Sequence, residues 1–338
     1  MIVLNQLKLF KFKVMEKQKA IGIDVSKKLL DICIVDGESR SQLQINNTLT
    51  SIRKFLKQFV GQSVIVAMEN TGRYNWPLYE ALKAFSYDVY VIPPLHLKKS
   101  LGLTRGKNDQ IDAVRIATYA LKNHQDMIKW RAPSILIETL KVLLAERMQR
   151  IKMRKQLLCT AHDYSILKGL DLKRTQKLNS SLVKQLNQQI KGIELEIRSL
   201  IKKDDKLERQ YDLIQTVPGV GPILACSVLI KTHGFTILLD PRQLACYCGV
   251  APFPYQSGSS IKRKDLVSIF ADKSLKTLFH MASMRAIQLN CDLKNYYLRK
   301  TSEGKNKMLV LNAIRNKIIH RILAVIKNQR SYINLQVS

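Results

Sequence analysis

The chain has 338 residues, 46% of them hydrophobic, which is enough for about two domains with real cores and too apolar for wholesale disorder. Lys and Arg number 56 against 26 Asp and Glu, a formal charge of +30. That excess argues against an enzyme of small neutral metabolites and for a polyanionic partner, nucleic acid first. The six cysteines show no disulfide framework and no metal-pair spacing beyond one C-x-C, no apolar run approaches the roughly 18 residues of a membrane span, and the lysine-interrupted N-terminus lacks a cleavage site. Secretion and membrane insertion are not expected, and a reducing cytosol is the natural compartment.

Met15 precedes the first patterned strand, so residues 1–14 read as a loose extension, inside a segment 1–18 that carries no fold signal. From there the apolar runs AIGIDV (20–25) and LLDICIV (29–35) read as strands, separated by Ser26-Lys27-Lys28 and ended by Asp36-Gly37. Residues 40–46 alternate with period two, as an edge-side strand does. Ile52, Phe55, Leu56 and Phe59 fall on one helical face, with Thr48 or Ser51 as N-cap. SVIVAM (63–68) is a buried strand, 77–85 a helix, YDVYVI (87–92) a strand stopped by Pro93-Pro94, and Asp109 to about Leu121 a helix. The order βββαβαβα is that of a ribonuclease H-like α/β domain over 19–134.

The next stretch, 135–211, changes character. Leu178, Leu182, Leu186, Ile190, Ile193, Ile197 and Leu200 form a near-heptad seam, so a long helical coiled-coil insert is expected, closed either within one chain or between chains. Residues 145–203 hold 14 Lys or Arg against five Asp or Glu, a solvated face or a face for nucleic acid. From 212 to 330 the pattern is mainly helical. Residues 257–338 carry 16 basic and four acidic side chains, so the charge excess continues.

Three constellations could carry chemistry. Asp24 interrupts the apolar IGIDV, Glu69 ends VIVAM, and Asp109 and Asp112 share a face at a helix start. Phosphodiester chemistry with two Mg²⁺ ions about 4 Å apart needs such a set of hard oxygen ligands. The bland alternatives are an N-cap for Asp109, a turn for Asp24 and an exposed strand end for Glu69. Second, IQTVPGVGPILA (214–225) matches the hairpin of a helix-hairpin-helix, with Gly219 and Gly221 admitting a phosphate to backbone N–H groups, or else an ordinary helical junction. Third, in GVAPFPYQSGSSIKRK (249–264) Ser257 is a hydroxyl nucleophile beside Lys262, Arg263 and Lys264, with Tyr255 as a competitor. Arg73, Tyr74, Arg105, Lys107 and Arg115 are the further residues expected to face nucleic acid.

Taken together, IGIDVSKK, MENTGRY and GKNDQIDA, followed by TVPGVGPILA, GVAPFPYQSGSSIKRK and NKMLVLNAIRNKIIHRI, resemble the insertion sequence 110 family of DEDD transposases over about 19–330. The resemblance implies a RuvC-like catalytic domain and a C-terminal transposase domain (212–330). It implies that Asp24, Glu69, Asp109 and Asp112 hold Mg²⁺ and that Ser257 is the nucleophile of a site-specific DNA recombinase. It further implies a homo-oligomer, dimer or tetramer, and a structured guide RNA that pairs with donor and target DNA in the bacterial cytosol, at the nucleoid. Two other readings stay open on the residues alone: a hydrolytic nuclease using the same carboxylates with water, and a non-catalytic nucleic-acid-binding protein.

Overall fold

The computed structural model describes residues 19–100, 109–132, 134–164, 166–257, 261–289 and 291–333, with the side chains of 99, 109, 110, 254–257 and 261–265 outside that description. Residues 1–18, Arg105 and Lys107 therefore lie outside it. The chain divides into two units, 1–132 and 133–338.

In the first unit β1 (Lys19–Val25), β2 (Leu29–Asp36), β3 (Ser39–Asn46), β4 (Val64–Glu69) and β5 (Asp88–Ile92) form one sheet in the order β3-β2-β1-β4-β5. The pairs β1/β2 and β2/β3 are antiparallel, whereas β1/β4 and β4/β5 are parallel. Three antiparallel strands followed by two parallel ones reached through helices give the ribonuclease H-like topology expected. The burial follows the topology. The interior strand β4 is apolar on both faces, as a covered parallel strand must be. The edge strand β3 turns only Leu43 and Ile45 inward and exposes Ser39, Arg40, Ser41 and Gln42, a polar edge that resists further strand pairing.

Helices cover both faces. On one, α1 (Leu49–Leu56) and α2 (Trp76–Leu82) bury Ile52, Phe55, Leu56, Leu78 and Leu82 against Ile21, Ile23, Leu30, Ile32, Val66 and Met68. Thr48 is the α1 N-cap, accepting from the Ser51 N–H at 3.4 Å. On the other face, α4 (Asp109–Asn123) presents Ala113, Ile116, Ala117 and Ala120 to Ala20, Cys33, Val35, Ile65 and Ala67. The alanines let the helix lie close, and Gly22 makes the closest approach. A Cβ at Gly22 would fall 2.3 Å from the Ala113 carbonyl oxygen and 2.4 Å from the Ala117 nitrogen. A short α3 (Pro94–Ser100) between β5 and α4 is an element the sequence pattern does not announce. Its seven residues span barely two turns, too few for a periodicity, and it starts at the proline that ends the strand.

In the second unit α5 (Ile135–Tyr164) and α6 (Lys173–Ile201) run antiparallel, tied by Arg147–Glu194, Arg150–Gln189 and Arg154–Asn187. The seam closes within the chain at one end only. Ile190, Ile197 and Ile201 are buried, whereas Leu178 and Leu182 remain 59% and 47% exposed. Ile137, Leu140, Ile197 and Ile201 belong to the same core as α7 (Asp205–Gln215), α8 (Pro222–Lys231), α9 (Pro241–Tyr247), α10 (Lys273–Ala286), α11 (Asp292–Ser302) and α12 (Lys307–Asn328). The last of these buries ten residues between Val310 and Ile326 and forms the axis of that core. Among them a two-stranded ribbon, β6 (Pro252–Ser257) and β7 (Ile261–Val267), breaks the helical pattern. Pro252 and Pro254 are tolerated because a two-stranded ribbon has only edge strands, and the register slips between Phe253 and Tyr255. Among the described residues no helix is long and apolar enough to cross a membrane.

Both tryptophans, Trp76 and Trp130, lie in the first unit, so their fluorescence reports its unfolding. Gly22→Ala is expected to destabilise that unit by about 1–3 kcal/mol or more, read as a lower urea midpoint, because α4 must move off the sheet. Gly192→Ala, at an open helical position of the second unit, should leave the tryptophan transition where it is.

Candidate functional site

The sheet brings carboxylates together on the face that α4 covers. On β1, Ala20, Gly22 and Asp24 alternate with the core residues Ile21, Ile23 and Val25. Glu69 stands one position beyond the last parallel pair, Ile23↔Met68, and so lies beside Asp24 on the neighbouring strand, roughly 4.8 Å away at the backbone. Helix α4 carries Asp112 over the same sheet face. The residue after it, Ala113, sets its carbonyl against Gly22, two positions before Asp24. Asp109 opens α4, its side chain outside the described residues.

A further carboxylate joins this face that the motifs do not point to. Asp31 of β2 is paired directly with Asp24 and is 5% exposed, accepting a 2.9 Å hydrogen bond from Gln44 Nε2. Direct antiparallel partners share a face, so Asp31, Asp24 and Glu69 form a row across three neighbouring strands. The signal is present in the chain: Asp31 interrupts the apolar run LLDICIV as Asp24 interrupts IGIDV.

All of these donors are hard carboxylate oxygens, the set that suits Mg²⁺ or Mn²⁺ rather than a soft metal. Among the described residues no three His, Cys, Asp or Glu side chains yet converge as a metal cage. Asp112 instead accepts from Arg115 at 2.8 Å, both side chains about one-fifth exposed. Arg115, expected to face nucleic acid, is thus committed to Asp112 through its i,i+3 position on α4. Arg73 and Tyr74 are exposed, as a contact surface requires.

The loop after Glu69 is organised by an asparagine that no motif singles out. Asn75 is fully buried. Its Oδ1 accepts from the Thr71 N–H and the Thr71 hydroxyl, and its Nδ2 donates to the Glu69 carbonyl at 2.8 Å and to Tyr79 Oη at 3.3 Å. Asn47 Nδ2 donates to the carbonyls of Ser26 and Tyr74, joining the turn after Asp24 to the loop after Glu69.

In the second unit the residues 216–221 join α7 to α8 through a tight turn, and its two glycines do different things. Gly219 has φ +86, and a Cβ there would fall 2.2 Å from the Ala282 carbonyl oxygen, so its missing side chain admits helix α10. Helix α10 thus occupies the side-chain direction of Gly219. Gly221, the α8 N-cap, faces open space and leaves the first α8 N–H groups without a side-chain cap. Ser257 ends β6 and pairs with Ile261, while Tyr255 pairs with Arg263 and Gln256 with Lys262; Lys264 lies further along β7. The side chains of Ser257, Lys262, Arg263 and Lys264 are outside the described residues.

Below the ribbon, Asp272 caps α10. Burial works to raise its carboxyl, but hydrogen bonds from Lys231, Ser274 and the Leu275 N–H outweigh it and hold the pKa at about 2. Lys231 lies 2.7 Å from Asp272 Oδ2, and the Asp272 N–H donates to the Tyr247 carbonyl. The chain entering and leaving the ribbon is anchored through this network.

A protein-family model described as Transposase, for the DEDD transposases of IS110 elements, matches residues 21–168, and another, Transposase IS116/IS110/IS902 family, matches 211–298. The pilin gene-inverting protein of Moraxella bovis is 23% identical over 321 residues, covering 92% of this chain and 97% of the relative. The transposase for insertion sequence element IS1111A of Coxiella burnetii is 23% identical over 357 residues of alignment, 94% of this chain and 92% of its own. A solved structure, T. thermophilus RuvC in complex with Holliday junction substrate, is similar over 32% of this chain and 96% of its own, at 15% identity and a TM-score of 0.24. The fold assignment rests on strand order and register, not on that overlap.

Two tests follow from this geometry. Asn75→Ala removes four hydrogen bonds at a fully buried position, with an expected loss of about 2–4 kcal/mol. Hydrogen exchange should then show faster amides from Thr71 to Tyr74; unchanged protection would mean that the loop is held elsewhere. For Asp272, a pKa depressed below the unfolded value contributes stability above about pH 4 that is lost as pH falls through 2, about 2 kcal/mol in all. Circular dichroism in urea across that range should show this loss in wild type, and a flatter profile in Asp272→Asn.

Proposed function

The chain belongs to the IS110 family of transposases, and from that membership we propose that it cuts and rejoins DNA through a covalent bond between Ser257 and a scissile phosphate. The observation that carries this reading is the row of Asp24 and Glu69 on neighbouring strands of one sheet face, under a helix that delivers Asp112. A +30 chain that nevertheless gathers carboxylates on one face has arranged them for something other than holding polyanion.

Ser257 Oγ attacks the phosphorus, the P–O3′ bond breaks, and the departing 3′ oxygen takes up a proton. The serine ester conserves the energy of the broken bond, so a 3′ hydroxyl of a second DNA end can attack it and release the serine without ATP. Asp24, Glu69, Asp109 and Asp112 are the residues that would hold a divalent metal, Mg²⁺ by preference, and such a metal supplies charge stabilisation at the oxygens of the phosphate. Arg115 would have to release Asp112 for that role. Arg73, Tyr74, Lys262, Arg263, Lys264, Arg105, Lys107 and the backbone of the turn at Gly219 and Gly221 are the residues we assign to the nucleic-acid backbone.

A structured guide RNA would do the base reading, which agrees with a broad basic surface that contacts phosphate rather than base edges. The working form is an oligomer. The exposed Leu178 and Leu182 at the open end of the α5–α6 pair support self-association. The bacterial cytosol, where the nucleoid lies, is the expected site of action.

The test is covalent trapping. Protein, Mg²⁺, the RNA transcribed from beside its gene and labelled DNA spanning the element junction are combined and run on denaturing gels. Wild type should give a protein–DNA adduct that Ser257→Ala and Asp112→Asn both lose. Cleavage without an adduct, persisting in Ser257→Ala, would instead identify a hydrolytic nuclease.

A further inference from the structure

Among the described residues, no carboxylate meets one buried cation of the second unit. Arg315 of α12 is 6% exposed. Its Nη2 donates to His280 Nδ1 at 2.8 Å, its Nη1 donates to Asn312 Oδ1 at 3.3 Å, and its Nε is buried with no hydrogen-bond partner. Among the described residues no carboxylate pairs with it, whereas Lys231, Arg321 and Arg147 of the same unit meet Asp272, Asp292 and Glu194. Taking a guanidinium out of water without a counter-charge is strongly unfavourable, and burial pulls Arg315 below its ordinary range. A fold that accepts this cost gains by having an anion arrive later.

The surroundings are built for such an anion. A guanidinium can only donate, so the His280 ring accepts at Nδ1 and carries its proton on Nε2. Burial first and the Arg315 charge second hold His280 below its usual pKa, which keeps it a neutral Nε2–H donor on a partly exposed ring. Lys276, one turn earlier on α10, shares that helix face. Its Nζ lies 3.9 Å from the point a Cβ on Gly249 would occupy, and no carboxylate among the described residues pairs with it. Asn312 Nδ2 donates to the Val250 carbonyl at 2.9 Å. These donors therefore bracket residues 249–250, immediately before the strand that ends at Ser257.

We propose that Lys276, His280 and Arg315 form a phosphate site at the foot of the β6–β7 ribbon, taking a backbone phosphodiester of a nucleic-acid strand. The inference rests on the reading that this chain acts on nucleic acid. The site touches backbone and reads no base, and its effect is to fix the register of the strand relative to the ribbon.

The full-length protein is titrated with fluorescent single-stranded DNA and with RNA of the same length and unrelated sequence, without metal, across a salt series. Removing one phosphate interaction lowers the slope of log K against log salt by about 0.7. Arg315→Gln and Lys276→Gln should each show about that decrease, and Arg315→Lys should keep the wild-type slope. A change with only one of the two oligonucleotides identifies which strand the site holds. Wild-type slopes in both glutamine variants, even with a lowered melting temperature for Arg315→Gln, would make Arg315 a structural charge and overturn the proposal. If Arg315→Gln does not fold, the slope of Lys276→Gln decides. No cleavage enters this assay, so loss of the recombinase reading leaves its outcome untouched.

Discussion

The absence of a side chain at residue 22 is the constraint on which the first unit depends. With any Cβ there, the Ala113 carbonyl and the Ala117 amide could not approach β1, and α4 would ride higher over the sheet. The alanines at 113, 117 and 120 extend the same logic along the helix, a smooth face on a smooth strand. What this close packing contributes to function is height. The residue after Asp112, Ala113, is the one whose carbonyl lies against Gly22, two positions before Asp24. A carboxylate on a long flexible side chain could reach the same place, but at the cost of ordering it; here the backbone has done the ordering already.

The second constraint is electrostatic. A chain this basic cannot neutralise itself, so the location of its few acids is informative. Glu80, Glu138, Glu146 and Glu303 pair with a basic residue three or four positions away on the surface, where the gain is small. Acids with a structural task sit at helix starts or hold buried cations: Asp204, Asp240 and Asp272 cap α7, α9 and α10, and Asp292 meets Arg321. On the face under α4, Asp31 and Asp24 are set opposite one another across a strand pair, where like charges repel. Arg315 is a buried positive group that no carboxylate among the described residues meets. An anion arriving at Arg315 would relieve the cost of that burial.

Polar side chains with no catalytic role hold the loops in place. Asn75 uses all of its hydrogen-bonding capacity to fold the segment from Glu69 to Tyr79 back on itself, and Asn47 joins that segment to the turn after Asp24. In the second unit Asn312 and the Lys231–Asp272 pair do the same for the chain on either side of the ribbon. Loops that carry function are thus tied to rigid elements at their roots.

Much of the first unit is legible in the chain itself. Strands β1 to β5 follow from apolar runs and period-two alternation, Thr48 from capping chemistry, and the carboxylates Asp24, Glu69 and Asp112 from their place in otherwise apolar or helical patterns. These are local signals, because side-chain direction in a strand or helix is set by the backbone repeat. Other features were decided only by tertiary packing. Asp31 is as visible as Asp24 in the sequence, but its partnership with Asp24 is a matter of register between two strands. That Gly219 must lack a side chain to admit α10 shows only once α10 is packed against it. The β6–β7 ribbon escapes notice because its prolines argue against a strand, and only its edge-strand pairing makes them harmless. Arg315 is one basic residue among 56 by composition, and its isolation arises because α10, α12 and the loop at 249–250 close around it from distant parts of the chain.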